Sequence, residues 1–283
     1  MDADKKKAFF ALPKKKTLIK WLIAAVLLYI FAFWQNKFLT VSEYTYSSQR
    51  VPAAFDGFRI LQISDLHNDY FGKNQSWLVG KTKKCEPDII VVTGDLIHSK
   101  NPDVESAMQY IRQAVEIAPV YFVGGNHERR VPSEYALLLS EMEACGVYIL
   151  NNKSEKLERN GVEILISGTD GTADTDFPEE DSDSSEEGLF SVFLSHYPED
   201  FPTNSKLPVD IIFSGHAHGG QFRLPFVGGI YAPGQGLFPE YDSGSFEENG
   251  TTMYVSRGVG NSSLPLRLFN FPELVLVTLE SVG

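Results

Sequence analysis

The stretch FRILQISDLH, residues 58–67, joins an apolar run directly to an aspartate and a histidine. Its first seven residues have the β-branched and aromatic bias of a strand, and several of the runs like it are apolar nearly throughout, as in strands covered on both faces. Asp65 and His67 are two residues apart on an extended chain, so their side chains point the same way. The stretch therefore predicts a buried strand with two metal-binding side chains at its carboxyl end.

Seven further runs of the same character extend this prediction along the chain. Two segments between them, 103–118 and 133–145, repeat apolar residues at helical spacing and stop at Pro119 and Gly146. Strands that alternate with helices predict an α/β fold. The predicted strands are 58–64, 88–94, 120–125, 162–168, 189–195, 210–215, 252–258 and 273–279.

Side chains that bind metals stand at the end of five of these strands. DIIVVTG is followed by Asp95, LFSVFLS by His196 and DIIFSG by His216. In an open α/β sheet, sites form at the edge where the strands have their carboxyl ends. Five such coincidences, each with nitrogen or oxygen donors, are hard to explain as packing. The candidate residues are Asp65, His67, Asp95, Asn126, His127, Glu128, His196, His216 and His218.

The donor set favours a site for two metal ions. Two cations about 3.5 to 4 Å apart repel each other and need a bridging anion, and Asp95 is the natural bridge. Asp65 with His67 can hold one ion, and His216 with His218 can do the same from a later turn. Mixed imidazole and carboxylate ligands suit Mn, Zn or Fe better than Mg or Ca. We therefore expect two divalent ions, most readily Mn, Zn or Fe.

Five short blocks are DLH (65–67), GDL (94–96), GNHE (125–128), SHYP (195–198) and GHAHGG (215–220). In this order they resemble the signature blocks of the calcineurin-like metallophosphoesterases, over about residues 56–280. The resemblance implies a four-layer α/β/β/α sandwich and hydrolysis of a phosphoester by a hydroxide that bridges two metals. It implies that one ion is held by Asp65, His67, Asp95 and His218. It implies that the other is held by Asp95, Asn126, His196 and His216.

The resemblance also assigns catalytic roles. His127 would be the general acid, or the hydrogen-bond donor to the leaving group, because it stands beside the ligand Asn126 without binding metal itself. Asp95 would act in catalysis as the shared ligand. Glu128 is expected to orient a ligand or His127. His98 stands where relatives commonly carry an acidic residue, and we expect it near the ligands or against the leaving group.

Later segments narrow the resemblance. GGQ (219–221), YAPGQG (231–236) and SRGVGNS (256–262) resemble the membrane-associated phosphodiesterase branch of the family, whose members often begin with a basic, hydrophobic anchor. Arg257 and Arg267 lie in this part of the chain. They are weaker candidates for holding the substrate phosphate, and an ordinary surface position is the alternative for each.

The amino terminus has a basic segment, 1–16, and then an apolar one, 17–36, which we interpret as one transmembrane anchor. Its core, WLIAAVLLYIFAFW (21–34), has no polar side chain, and no small-x-small cleavage motif follows it. Seven lysines precede the core, so the positive-inside rule places the amino terminus in the cytoplasm and the catalytic domain outside. We expect a single-pass protein of the cell membrane; a cleaved signal peptide and a buried core helix are the alternatives.

The remaining chain divides into a linker, 37–55, and one metallophosphoesterase domain, 56–283. Within the domain, 170–188 is an acidic, serine-rich insertion loop. The segment 219–250 is a loop rich in Gly, Pro and aromatics, which can form a lid, a substrate wall or a contact to lipid. Two cysteines lack any disulfide or metal-binding pattern and are expected as free thiols: Cys85 and Cys145.

The charge of the chain bears on its substrate. The 25 basic and 37 acidic residues give a net charge of −12, and the first twenty residues carry +5, which leaves −17 on the rest. A body this acidic repels a polyanion, so nucleic acid is a disfavoured partner, and no protein partner is implied. We expect a phosphorylated small molecule, or a lipid or wall substrate of the envelope, cleaved at a phosphodiester or pyrophosphate bond. The alternatives are a nuclease or cyclic-nucleotide phosphodiesterase, a phosphomonoesterase, and a binding scaffold without catalysis.

Overall fold

The structure is a computed structural model that describes residues 15–171, 188–262 and 266–283. Each of the eight predicted strands is present. Both predicted helices are present too, with their ends shifted by one to four residues. The α/β fold class predicted from the apolar runs is confirmed.

The described residues form six helices and sixteen strands. The helices are α1 Lys15–Lys37, α2 Ser76–Lys84, α3 Val104–Ala114, α4 Asn126–Arg129, α5 Pro132–Ala144 and α6 Phe201–Asn204. The strands are β1 Thr40–Ser48, β2 Arg59–Ile63, β3 Ile89–Thr93, β4 Val120–Val123, β5 Tyr148–Ile149, β6 Lys153–Arg159, β7 Val162–Thr169, β8 Ser191–Ser195, β9 Ile211–Ser214, β10 Arg223–Leu224, β11 Gly228–Gly229, β12 Tyr231–Ala232, β13 Gly236–Leu237, β14 Gly244–Glu248, β15 Thr251–Val255 and β16 Glu273–Ser281.

Twelve of these strands form two six-stranded sheets. The first sheet has the order β1-β16-β2-β3-β4-β5, and β2 to β5 are parallel to one another. The second has the order β14-β15-β9-β8-β7-β6, and β7, β8, β9 and β15 are parallel. Parallel neighbours bring their carboxyl ends to one edge. Within each sheet, the strands that precede the candidate ligands are neighbours. They are β2, β3 and β4 in the first sheet, and β8 and β9 in the second.

The two sheets pack face to face around a central apolar core. Val91 and Val123 of the first sheet belong to the same buried cluster as Ile166 and Val192 of the second. The outer face of the first sheet packs against α2, α3 and α5. The outer face of the second sheet packs against α6 and the segments around β12 and β14. The result is a four-layer sandwich whose outer layer over the second sheet has one four-residue helix and short strands in place of long helices.

The segment 37–55, expected to be a linker, contributes an edge strand. β1 runs parallel to β16 from the pair Thr40 and Glu273 to the pair Ser48 and Ser281. Tyr44 and Tyr46 pack against the central core. Strands that alternate half-buried aromatic residues with Ser and Thr suit a sheet edge. The first sheet therefore begins at Thr40, inside the segment that we had expected to be a linker.

The segment 219–250, expected to be a loop, has more regular structure than expected. It holds the antiparallel hairpin β10–β11, a second hairpin β12–β13, and β14, which pairs with β15 at the edge of the second sheet. The acidic insertion was expected at 170–188. Its residues 172–187 lie outside the described residues.

α1 is the one helix of the described residues that is long and apolar enough to cross a membrane. Its 23 residues correspond to about 35 Å. The mean hydropathy of its most apolar 18 residues is 2.0, and none of these residues is buried. The last turn is fixed to the domain. Asn36 Oδ1 accepts a hydrogen bond from the backbone N–H of Arg267 at 3.1 Å, and Lys37 Nζ lies 2.6 Å from Asp69 Oδ1.

Candidate metal centre

The predicted metal ligands converge at the side of the sandwich where the central strands of both sheets have their carboxyl ends. Each follows the carboxyl end of a central strand, and each is buried. They are Asp65 and His67 after β2, Asp95 after β3, Asn126 after β4, His196 after β8, and His216 and His218 after β9.

One group of donors consists of Asp65, His67 and His218. The Nε2 atoms of His67 and His218 lie 3.0 Å apart, and Asp65 Oδ1 lies 3.2 Å from His218 Nε2 and 3.7 Å from His67 Nε2. Donor atoms that each lie about 2.0 to 2.2 Å from one cation are about 3 to 3.6 Å from each other. The three atoms therefore have nearly the spacing of ligands around one ion.

A second group consists of Asp95, His196 and His216, with Asn126 beside it. His196 Nε2 lies 3.2 Å from Asp95 Oδ2, 3.1 Å from His216 Nδ1 and 3.3 Å from Asn126 Oδ1. The other ring nitrogen, His196 Nδ1, donates to the backbone carbonyl of Thr93 at 2.7 Å. This hydrogen bond fixes the ring so that Nε2 faces the group.

Asp95 lies between the two groups. Its Oδ2 atom is 3.6 Å from His67 Nε2 in the first group and 3.2 Å from His196 Nε2 in the second. Its Oδ1 atom accepts a hydrogen bond from the backbone N–H of His127 at 2.8 Å. One carboxylate oxygen thus faces both groups, which is the position of a bridging ligand.

The donors fit cations better than they fit one another. Asp65 Oδ1 is buried and finds no hydrogen-bond partner among the described residues. The amide oxygen of Asn126 faces imidazole nitrogens, although a rotated amide would let its nitrogen donate to His216 Nδ1 at 2.8 Å. An oxygen turned toward ring nitrogens is stabilised by a cation between them. The residues present therefore suit two divalent ions, in the two donor groups that share Asp95.

The backbone places these ligands at a conformational cost. Asp65, His67, Asp95, His216 and His218 have φ between 48° and 63°, in the left-handed region. For residues other than glycine this conformation costs about 1 kcal/mol or more, and it concentrates at functional sites. The strained turns bring side chains from successive loops into one cluster.

Glu128 holds the Asp95 loop in position. Its carboxylate accepts hydrogen bonds from the backbone N–H groups of Asp95 at 2.8 Å, Gly125 at 2.9 Å and Ile97 at 3.0 Å. Burial, followed by the charge of Asp95, raises the pKa of Glu128 to about 7. A Cβ at Gly125 would collide with the Asp95 carboxylate, so glycine is needed there. The orienting role of Glu128 stays a prediction, and its carboxylate contacts the backbone of the predicted ligand Asp95.

Burial and charge set the protonation of the ligands before a metal binds. Burial lowers the pKa of His196, but the carboxylates of Asp95 and Asp65 outweigh it and raise that pKa to about 10. Burial lowers the pKa of His216 to about 3 and that of His218 well below its usual value. Burial alone would raise the pKa values of Asp65 and Asp95, but neighbouring histidines hold both low. The neutral rings of His216 and His218 thus keep lone pairs for a cation.

His127 lies beside the donor groups, with its ring centroid 4.5 Å from that of His67. The backbone N–H of Ser99 donates to His127 Nδ1 at 3.0 Å. Because an amide N–H can only donate, Nδ1 holds a lone pair, and the proton of the neutral ring is on Nε2. Burial lowers the pKa of His127 to about 4, so the neutral form prevails near pH 7.

The cluster opens into a cavity of about 570 Å³. Asp95, His127 and His216 form part of its wall. Seven further lining residues were not predicted from the sequence as site residues: Arg129, Arg130, Tyr197, Tyr231, Pro233, Gly234 and Ser262. Arg129 and Arg130 directly follow GNHE and Tyr197 follows His196, so adjacency to the motifs was the available signal. Arg129 is held by hydrogen bonds to the hydroxyl of Tyr197 and to the carbonyl of Gly171, whereas Arg130 is exposed.

The weaker candidates lie in different places. His98 is half-buried beside the site, with its ring centroid 4.7 Å from that of His127 and 5.6 Å from that of His67. Arg257 pairs with Glu273 at 2.9 Å, so the structure does not bring it into the cluster. Arg267 is buried and donates to the backbone carbonyl of Arg257 at 2.9 Å, which is a structural role and contradicts the surface alternative.

The sequence profile of the calcineurin-like phosphoesterases matches residues 58–220. The chain belongs to the calcineurin-like phosphoesterase family. The matched range contains all seven predicted ligands and His127. The predicted family and the predicted class of metal-dependent phosphoric ester hydrolases are therefore confirmed, because this family uses divalent metals to hydrolyse phosphoesters.

Relatives in the calcineurin-like phosphoesterase family align over most of the chain. The chain is 34% identical to the metallophosphoesterase YkuE of Bacillus subtilis over 254 residues, which cover 87% of each chain. It is 29% identical to the phosphodiesterase YaeI of Escherichia coli over 229 residues, 78% of this chain and 82% of that one. It is 26% identical to a transmembrane protein with metallophosphoesterase domain from Bos taurus over 262 residues, 82% of this chain and 55% of that one.

Thermal unfolding of the full chain in detergent tests the donor groups of this family member. Mn²⁺ added to EDTA-treated protein should raise Tm by about 5 °C or more, because an ion that binds only the folded state stabilises it. Asp95→Asn should abolish most of the rise, since it removes the shared charge. His98→Ala, a change at a neighbouring histidine outside both groups, should leave the rise intact.

The same measurement has an expected pH dependence. A cation must displace the proton that His196 holds with a pKa of about 10, so binding weakens as pH falls. At a fixed Mn²⁺ concentration the rise in Tm should be larger at about pH 8 than at about pH 6.5.

For the variant test, an equal rise in Asp95→Asn and in the unsubstituted protein would contradict the assignment of the shared ligand.

Proposed function

We propose that the chain is a membrane-anchored, dinuclear phosphodiesterase that cleaves phosphodiester or pyrophosphate bonds of envelope-related substrates. The observation that carries the proposal is the pair of donor groups that share Asp95 Oδ2, 3.6 Å from His67 Nε2 and 3.2 Å from His196 Nε2. Two divalent ions bound there would lower the pKa of a water molecule between them and neutralise charge on the phosphoryl oxygens. No nucleophilic side chain is required for this chemistry.

His127 is the hydrogen-bond donor to the leaving group in this proposal. Its Nδ1 atom accepts from the backbone N–H of Ser99, which leaves the Nε2–H of the neutral ring to donate a hydrogen bond to the departing oxygen of the substrate. The ring is part of the cavity wall and lies beside His67. Glu128 acts at a distance, by holding the backbone of Asp95 and Gly125. Because His127 is not a predicted metal ligand, its hydrogen bond can stabilise the leaving oxygen as negative charge develops on it.

A small phosphodiester suits the cavity better than a long polyanion does. Arg129 and Arg130 supply two positive charges in its wall, which is enough to attract one phosphoryl group. The acidic body of the chain opposes nucleic-acid binding. The relative YaeI of Escherichia coli is named a phosphodiesterase, and this supports diester over monoester cleavage here.

Membrane anchoring rests on α1. Its exposed apolar surface and its length suit a bilayer, and relatives from Bos taurus and Danio rerio are named transmembrane proteins with a metallophosphoesterase domain. The seven lysines before Trp21 favour a cytoplasmic amino terminus, which places the catalytic domain outside. Envelope components then become the accessible phosphoesters.

Turnover of two diesters tests the catalytic assignment. With Mn²⁺, the full chain should hydrolyse bis-p-nitrophenyl phosphate faster than p-nitrophenyl phosphate. His127→Ala should lower kcat by about 10²- to 10⁴-fold on a diester with an alkyl leaving group and much less on the nitrophenyl diester, because a good leaving group needs little stabilisation by a hydrogen bond. Trp77→Ala, a change at an exposed ring of α2 outside the cavity wall, serves as the control. Equal losses on both diesters would contradict the role of His127 at the leaving group. Full turnover in an Asn126→Ala, His216→Ala double variant would contradict a role for the second ion.

Labelling of intact cells tests the orientation. In a Cys145→Ser background, a membrane-impermeant thiol reagent should label Gly283→Cys from outside. Ala3→Cys should react only after lysis. The reverse pattern would place the catalytic domain in the cytoplasm and exclude envelope substrates.

A further inference from the structure

An exposed apolar surface lies on the two hairpins that follow the GHAHGG block. We call it the apolar rim, and it consists of the end of β10 with the turn that follows, and of the end of the second hairpin. Phe226 is fully exposed and Leu237 is 70% exposed. Large apolar side chains grouped in this way mark a surface that contacts protein or membrane. The members of the apolar rim are Leu224, Phe226, Val227, Leu237 and Phe238.

The apolar rim carries no charge. From Leu224 to Pro239 the chain contains no Asp, Glu, Lys or Arg, although the whole protein has a net charge of −12. At the start of the first hairpin, the guanidinium of Arg223 is paired with Asp242 at 2.9 Å. A charged side chain in hydrocarbon is costly. The rim is therefore free of the groups that would oppose contact with lipid.

The apolar rim is joined to the end of the proposed anchor. The segment 266–272 packs against the last turns of α1: the rings of Trp34 and Phe271 are 4.8 Å apart, and the backbone N–H of Phe269 donates to Gln35 Oε1 at 2.7 Å. The same segment binds the first hairpin, because the backbone N–H of Arg223 donates to the carbonyl of Leu268 at 3.0 Å. Phe226 is three residues beyond Arg223, within about 10 Å along an extended chain.

The second hairpin connects the apolar rim to the catalytic cavity. Tyr231 and Pro233 line that cavity, and the backbone N–H of Phe238 donates to the carbonyl of Ile230 at 2.8 Å. Leu237 pairs with Tyr231 in the β12–β13 ladder. The second hairpin thus lines the cavity with Tyr231 of β12 and carries the rim residue Leu237 on the paired strand β13.

We propose that the apolar rim inserts into the lipid bilayer that α1 spans. Three observations support a bilayer as the occupant: attachment through 266–272 to the helix end, the uncharged stretch from Leu224 to Pro239, and the exposed aromatic tips. Interfacial segments bury apolar side chains about 5 to 10 Å into the boundary between headgroups and acyl chains. Insertion holds the cavity wall at Tyr231 next to the headgroups, where a phosphoester carried by a lipid is within reach. The inference rests on the proposed anchor and does not depend on turnover.

A fluorescence experiment on the full chain in proteoliposomes tests the insertion. In a Cys145→Ser background, bimane is attached at Phe226→Cys or at Leu237→Cys, and the vesicles contain phosphatidylglycerol with ordinary or brominated phosphatidylcholine. Both labels should lose fluorescence about twofold or more in brominated vesicles, because the quencher lies in the acyl region. A label at Val162→Cys serves as the control, because Val162 is an exposed apolar position at the amino-terminal end of β7. Its fluorescence should be the same in both kinds of vesicle.

A label in α1, at Ala25→Cys, separates the two proposals. Quenching at residue 25 without quenching at 226 and 237 would overturn the insertion of the rim and leave the anchor intact. Absence of quenching at all three positions would overturn both. A blue-shifted but unquenched label at 226 would mean that the rim is covered by protein, such as a second copy of this chain, and would also overturn the bilayer as its occupant.

Discussion

Two buried carboxylates, Asp65 and Asp95, share one small volume with several imidazole rings, and the catalytic edge of the protein is organised around this constraint. Oxygen and nitrogen donors approach within 3.0 to 3.7 Å of each other. Each buried ion without a partner costs several kcal/mol, so positive charge must be supplied. His196 supplies some by retaining a proton. Divalent cations would supply more, and they would also give Asp65 Oδ1 a partner that the described residues do not provide.

The two-sheet architecture makes this arrangement possible. Neighbouring parallel strands in each sheet deliver one or two ligands, and face-to-face packing brings the two sets together over the apolar core. Five ligands adopt left-handed backbone conformations, and Glu128 fixes three N–H groups of the adjoining loops. The donors are therefore positioned by the protein alone, at the cost of local backbone strain. Such preorganisation suits a site that must bind ions and still leave room for a phosphoryl group.

Much of this could be predicted from the sequence because two signals coincide. β2, β3, β8 and β9 are short apolar runs buried on both faces, and each ends at a donor in a recognisable block. The edge strands lacked such a signal. β1 mixes tyrosines with Ser and Thr, and β6, of sequence KSEKLER, is almost wholly polar. Their place depends on pairing, of β1 with the distant β16 and of β6 with β7, which follows it directly. The same limit applies to Arg257, whose ion pair with Glu273 cannot be read from residue spacing.

The central claim is that Asp95 bridges two ions. Anomalous X-ray diffraction from crystals grown with Mn²⁺ tests it most directly. Two peaks about 3.5 to 4 Å apart are expected, both in contact with Asp95, one also touching Asp65 and His218 and the other His196 and His216. A single peak, or a pair in which Asp95 touches only one ion, would contradict the account.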